Sequence, residues 1–268
     1  MFKPIRTSLG KLETPKRWGA EFFIKDESDN PTGTHKDRRS RKILDTYLGH
    51  TEALGIITAG NAGASLALTI RGTRLQLLCI LDDKVPIATE NTLREMGAHV
   101  TRRSLREKEI TSDHVVQITR AMTGKEQAID VTNGQSDAYR SIVQEILDDG
   151  VVPDTIVCPV GSGELASGIA AEIRSQKLET QVIGIRTQEW NGVADKLLSD
   201  HGPGKIPIEG IEIWEASIAD MRWSTTEASA RLLSRRMEAS ASVVLLALGD
   251  RSLKGSIVLV NTGKGMFA

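Results

Sequence analysis

"TIVCPVGSGELASG", residues 155–168, is the stretch on which the fold turns. Thr155–Val160 is an apolar run of strand length, too short for a helix of its own. Gly161 and Gly163 then break the extended chain, and a helix begins. A buried strand that turns through glycine into a helix is the first half of a βαβ unit.

The same alternation extends outward in both directions. "GIIT" (55–58), "RLQLLCIL" (74–81), "AHVTRR" (98–103) and "AIDV" (128–131) read as strands. Helices are expected over 61–71, 86–96, 112–122 and 137–149. Beyond the opening stretch come another helix, the strand "QVIGIRT" (181–187), helices near 225–237 and 241–248, and a last strand, "SIVLVN" (256–261). Short strands alternating with helices mean parallel sheets, so an α/β protein of two open, mostly parallel domains is expected. The smaller domain is placed at 40–145 and the larger at 1–39 plus 146–268. "HGPGKIPIEG" (201–210) is expected to be the longest loop.

Composition narrows the function. The 268 residues carry 34 Lys plus Arg against 35 Asp plus Glu, a formal charge of -1. A general nucleic-acid binder would be basic overall. The sign-alternating segment "RRSLREKE" (102–109) reads as solvated surface. Cys79 and Cys158 fall in apolar runs and read as buried thiols that suit a reducing cytoplasm. The opening "MFKPIRTSLGK" has no apolar core of signal-peptide length, and no stretch approaches the roughly 18 apolar residues of a membrane span. A soluble cytoplasmic protein with no membrane partner is expected. His35, His50, His99, His114 and His201 are scattered without metal-ligand spacing, so no metal site is expected. Trp18, Trp190, Trp214 and Trp223 are read as packing or interface residues.

Open α/β sheets bind ligands at the C-terminal ends of their strands. Three glycine turns occupy such places: "TAGNAGAS" (58–65), "VGSGELASG" (160–168) and "NTGKG" (261–265). In the second, glycines admit an anion close to backbone N–H groups at a helix start. A phosphate cradle and a ligand-free turn both remain open on that pattern alone. A dinucleotide site fits less well, because the next strand ends in Arg186 where an acidic residue is expected; that favours NADP over NAD. A fourth stretch, "ESDNPTGTHKDRRS" (27–40), combines turn formers with Lys36, Arg38, Arg39, Arg41 and Lys42 at a helix start, the end where cations are least favoured.

Together these pieces resemble the fold-type II pyridoxal-phosphate enzymes, most of all threonine synthase and its relatives. "KDESDNPTGTHKDR" (25–38) is similar to the family's lysine segment, "TAGNAGASLA" to its Ser/Thr-x-Gly-Asn loop, "PVGSGELASGI" to its phosphate loop and "NTGKG" to its C-terminal Thr-Gly turn. "AYRSIVQEI" (138–146) resembles the helix before the phosphate-loop strand. The motifs occur in family order from about Thr7 to Gly265. The resemblance implies pyridoxal 5'-phosphate between the two domains, an amino-acid substrate and a homodimer. It makes Lys36 the Schiff-base lysine and general base, with the cationic helix start facing the phosphate. Asn61 is implied to face the ring hydroxyl, Thr262 the ring nitrogen, and Gly161, Ser162, Gly163 and Glu164 the phosphate, to which His35 adds a contact. Thr58, Ala59, Gly60, Asn61 and Ala62 are implied to hold the substrate carboxylate. A hydroxyl at the ring nitrogen favours β- or γ-elimination or replacement over a long-lived carbanion.

Two positions depart from the family. Glu164 stands where the phosphate loop continues with glycine, and its carboxylate would repel a phosphate unless it turns away or pairs with a cation. Ala59 removes a hydroxyl from the substrate loop. The segment before Lys25 and the region 223–248 are also short. Three readings follow: an enzyme of threonine-synthase-like, dehydratase-like or cysteine-synthase-like chemistry; a reduced relative that binds cofactor or amino acid without turnover; and an NADP-binding oxidoreductase.

Overall fold

The structure, a computed structural model, describes residues 6–14, 19–105, 110–187, 210–231, 237–250 and 252–265. It opens with strands β1 (Ser8–Lys11) and β2 (Ala20–Asp26) and helix α1 (Lys36–Tyr47). There follow β3 (Ala53–Ile57), α2 (Asn61–Thr69), β4 (Gln76–Asp82), α3 (Ile87–Glu95), β5 (His99–Arg103), α4 (Ser112–Thr123) and β6 (Ala128–Asp130). The second half runs α5 (Arg140–Asp148), β7 (Thr155–Pro159), α6 (Glu164–Ser175), β8 (Gln181–Thr187), β9 (Glu212–Ala216), α7 (Ile218–Arg231), α8 (Ala239–Ser242) and β10 (Gly255–Asn261).

Among the described residues these strands form two sheets. The smaller has the order β5-β4-β3-β6 and is wholly parallel. The larger has the order β1-β2-β10-β7-β8-β9, and only its β1–β2 pair is antiparallel. The mostly parallel α/β architecture expected from the sequence is the one observed. Every residue of β3 and β7 is buried, as strands covered on both faces must be.

Alternation along β10 divides the larger core. Ile257 and Leu259 face Phe22, Ile24 and the run Val243–Leu245, whereas Val258 and Val260 face Ile156, Ile142 and Val143 of α5 and Ile169 of α6. Leu54, Ile56, Leu77 and Cys79 of the smaller sheet pack on Ile43 and Leu44 of α1 and Leu66 of α2. The expected domain boundary at 145 falls within α5, whose apolar face packs with the larger sheet.

Three strands were not anticipated. β2, "AEFFIKD", hides its apolar centre between charged ends, and Lys25 and Asp26 are tolerated in a buried strand because each has partners. β1 and β9 are short strands beside it and at the far edge of the sheet. The expected helix 241–248 is split, α8 giving way to a 3-10 helix over Val243–Gly249. Val243, Val244, Leu245 and Ala247 are all buried, so packing on all sides sets this path rather than one amphipathic face. α7 begins at Ile218, ahead of the expected 225.

Cys79 and Cys158 are buried, and burial pushes both thiols up to about 12. Trp214 packs against the larger core, and Trp223 is exposed on α7. Trp18, Trp190, His201 and residues 201–209 of the expected loop lie outside the described residues. Arg102 fastens β5 to the loop after β4 by donating to the carbonyls of Asp83 and Val85 and pairing with Glu90, so it is no idle surface charge; residues 106–109 lie outside the described residues. No described helix is long and apolar enough to cross a membrane.

Candidate active site

A cavity of about 170 Å³ lies at the C-terminal ends of β3, β4, β7 and β10, between the two sheets. His35, Lys36, Thr58, Ala59, Gly60, Asn61, Ala62, Gly161, Ser162, Gly163 and Thr262 all line it. Of the residues anticipated from the sequence only Glu164 does not.

The turn that carries Lys36 is built against the turn that carries Thr262. Thr34 and Gly263 form an isolated antiparallel bridge. His35 N donates to Thr262 O at 3.0 Å, and Lys264 N to Gly33 O at 3.0 Å. Gly263 sits at φ +142°, and a Cβ there would lie 2.3 Å from the Gly33 carbonyl oxygen. Only glycine permits that approach. His35 Nδ1 donates to Thr262 O at 3.0 Å, and the ring lies 5.5 Å from that of Tyr139. Burial, with the Lys36 charge, holds this imidazole well below its usual pKa, so it is neutral and ties the two turns together.

Lys36 Nζ makes no hydrogen bond or ion pair with any described residue. Burial, assisted by the charge of Arg39, lowers its pKa to about 8, against the opposing pull of Glu164 and Glu238. Near neutral pH a useful fraction of the amine is therefore unprotonated.

The other cations of this helix start are spoken for. Arg38, 4 % exposed, binds Glu27 through Nε and Nη2 at 2.7 and 2.8 Å and Glu145 through Nη1 at 2.6 Å. Lys25 Nζ adds 2.6 Å bonds to Glu145 and to the Thr7 carbonyl. Arg41 pairs with Asp45, and Lys42 with Asp137. Buried Asp37 accepts from Thr32 N at 2.8 Å and Ser65 Oγ at 2.6 Å, which joins α1 to α2. Of the cationic cluster expected to face a phosphate, only Lys36 and Arg39 line the cavity.

Glu164 resolves the departure noted in the sequence. It opens α6 but turns away from the cavity, accepts from Gln135 N at 2.7 Å and lies 3.6 Å from Arg39 Nε. It is a counter-ion behind the loop, not a wall of the site. Arg186, the residue behind the NADP reading, pairs with Glu215 at 2.9 Å and is absent from the cavity lining.

Two helix starts converge on the cavity. At α2, Thr58 Oγ1 accepts from Gly60 N and Gly63 N at 3.0 and 3.2 Å and so shapes the loop. At α6, Gly163 occupies the left-handed region at φ +89°, and no side chain caps the helix. Uncapped N–H groups and the helix dipole suit an anion. Two further residues matter here, one that motif reading missed and one that it named only within the cationic cluster. Glu238, buried, takes the Asn61 amide on both oxygens at 3.1 Å across the cleft. Arg39 is three residues beyond Lys36, a spacing that puts both on one helix face and was legible in the sequence. Glu238 lies in no glycine motif and carries no comparable signal.

A family profile described as "Pyridoxal-phosphate dependent enzyme" matches residues 3–263. The chain belongs to this family. A catabolic L-threonine dehydratase of Staphylococcus aureus is 26% identical over 202 residues, which cover 71% of this chain and 57% of the relative. The chain thus spans little more than half the length of that curated relative. The solved structure of an O-ureido-L-serine synthase superposes with a TM-score of 0.80 at 18% identity, over 98% of this chain and 90% of the other. Serine racemase from Dictyostelium discoideum gives 0.79 at 19%, over 97% and 93%. These likenesses show the fold-type II architecture.

The cofactor of the family, pyridoxal 5'-phosphate, fits the groups present. The cavity offers an unpaired amine at Lys36 and an uncapped helix start beside Gly161–Gly163. It also offers a buried Thr262 hydroxyl that bonds to no described residue, and the Asn61 amide.

Proposed function

We propose that the chain catalyses β- or γ-elimination or replacement on an amino acid. The observation that carries this is the Lys36 amine, unpaired and lowered to about 8, at a cavity on which the start of α2 and the uncapped start of α6 both open. When bound, pyridoxal 5'-phosphate supplies an aldehyde for amines and a conjugated ring that takes up the electron pair of a bond broken at Cα. Lys36 anchors the cofactor and, once released, moves the Cα proton as general base. The start of α6 at Gly161, Ser162 and Gly163 takes the phosphate. Thr58, Ala59, Gly60, Asn61 and Ala62, at the start of α2, take the substrate carboxylate, whose charge the helix dipole favours. Asn61 presents its amide to the ring hydroxyl, and Glu238 fixes which way that amide faces. Thr262 offers the ring nitrogen a hydroxyl, which does not hold a proton there as a carboxylate would, so expulsion of a leaving group is favoured. The neutral His35 supports this turn and lies beside the phosphate site.

Threonine-synthase-like replacement and dehydratase-like elimination are the two reactions of choice; the dehydratase relative supports the second. The test is turnover of O-phosphohomoserine, threonine, serine and O-acetylserine by the cofactor-loaded protein, with oxo acid, inorganic phosphate and acetate measured. Release of 2-oxobutanoate or pyruvate marks elimination, and threonine from phosphohomoserine marks replacement. Ala59, exposed to the cavity without a hydroxyl, supports a second reading, a relative that binds the cofactor without turnover. Cofactor binding by the parent with no product from any of the four would establish that reading and sink the first. A homodimer, expected from the resemblance, is tested by sedimentation.

A further inference from the structure

Arg39 is an unusual feature of this site. Its side chain is only 4 % exposed, yet it lines the cavity. Nη2 donates to the carbonyls of Val131 at 2.5 Å and Thr132 at 3.1 Å, which fixes the guanidinium in place. Nε has no hydrogen-bond partner, and Nη1 bonds to no described residue. The nearest carboxylate oxygen, Glu164 Oε2, stands 3.6 Å from Nε, beyond hydrogen-bond reach, and is itself without a partner.

Buried polar atoms almost always find partners, and an exception calls for a ligand or a strain to explain it. Here a fixed guanidinium with unused donors stands beside the first residue of α6, where the uncapped N–H groups of Gly161–Gly163 open on the same cavity. We propose that Arg39 is a direct ligand of the cofactor phosphate, supplying a charged donor that the glycine loop lacks, with Glu164 as the counter-ion that holds its charge in place. Guanidinium and phosphate oxygens match in geometry as well as charge. The acidic residue at 164 is then tolerated beside a dianion because its charge is already committed.

The experiment compares cofactor affinity with and without the phosphate group. Pyridoxal 5'-phosphate and pyridoxal are titrated into the parent, Arg39→Ala, Glu164→Gln and the double variant, by visible absorbance, and thermal melting of each cofactor-free protein checks folding. Losing a charged hydrogen bond changes affinity by about tenfold or more. Arg39→Ala should therefore lower the preference for the phosphorylated form by about tenfold, with pyridoxal affinity little altered. The double variant should remain well below the parent in that preference. An unchanged preference in Arg39→Ala overturns the proposal. So does full recovery in the double variant, because Arg39 would then only neutralise Glu164. If Arg39→Ala melts early, Arg39→Lys takes its place: it keeps the charge but loses the fork, and should retain only part of the preference. A parent chain that takes up neither compound defeats the cofactor assignment itself, an outcome separate from these.

Discussion

Lys36 concentrates the chemistry of this chain in one amine. An amine meets an aldehyde only when unprotonated, so the rate of cofactor capture should climb from about pH 6 and level off above about pH 8, where the Lys36 amine titrates. Glu238 raises that value, so Glu238→Gln should move the midpoint to lower pH; stopped-flow absorbance across the range decides it, and a move to higher pH would refute the assignment. The same low value weakens the fold. Below about pH 8 the folded chain holds a proton on a buried amine, at a free-energy cost that the unfolded chain does not bear. Lys36→Met should therefore stabilise the cofactor-free protein at pH 7 by about 1–3 kcal/mol. Between about 8 and the ordinary lysine value of 10.5 the unfolded chain binds more protons than the folded one, so parent stability rises with pH and the gain from Met shrinks. Urea unfolding at the two ends of that window measures it.

At the scale of elements, the first turns of α1 are held by charge. Arg38 joins Glu27 and Glu145, and Glu27 is fully buried. Arg38→Ala leaves that carboxylate unpaired and should cost about 3–5 kcal/mol in urea unfolding, far more than a surface ion pair. Burial alone would raise the Glu145 carboxyl, but the bonds and charge of Arg38 and Lys25 outweigh it and hold the group at about 2. Its stabilising contribution is complete above the usual glutamate value and is lost as pH falls toward 2, so acid unfolding should begin earlier in Lys25→Met. The two turns of the site respond to shape instead. Gly263→Ala drives a Cβ against the Gly33 carbonyl and should cost about 2 kcal/mol while weakening cofactor affinity. Loss of stability with affinity intact would mean that the Thr262 turn does not position the ring.

Much of this was legible beforehand, and the exceptions share a cause. The strands β3, β4 and β7 announce themselves because burial on both faces leaves their central residues apolar. The glycine turns that follow β3, β7 and β10 announce the site. β2 was silent because its charged ends find partners from α5 and β10 that only the folded chain brings near. Glu238 was silent for the same reason: its partner Asn61 is 177 positions away in the chain. What periodicity and motifs encode is local, and what they miss is pairing at long range.

On the scale of the whole molecule, β10 lies between β2 and β7, and Gly255 pairs with Ala20. The middle of the larger sheet is thus filled by a strand that follows β7, β8 and β9 in the chain. Until it inserts, β2 and β7 have a gap between them, and Thr262 and Gly263 are missing from the lysine turn. A nascent chain still lacking residue 255 can assemble the smaller sheet but not the larger one, and pairing over such a separation is slow to form. Cofactor capture then does more than equip the protein for chemistry: it reports that β10 has been made and inserted, and a chain stopped short of residue 255 carries Lys36 yet stays colourless.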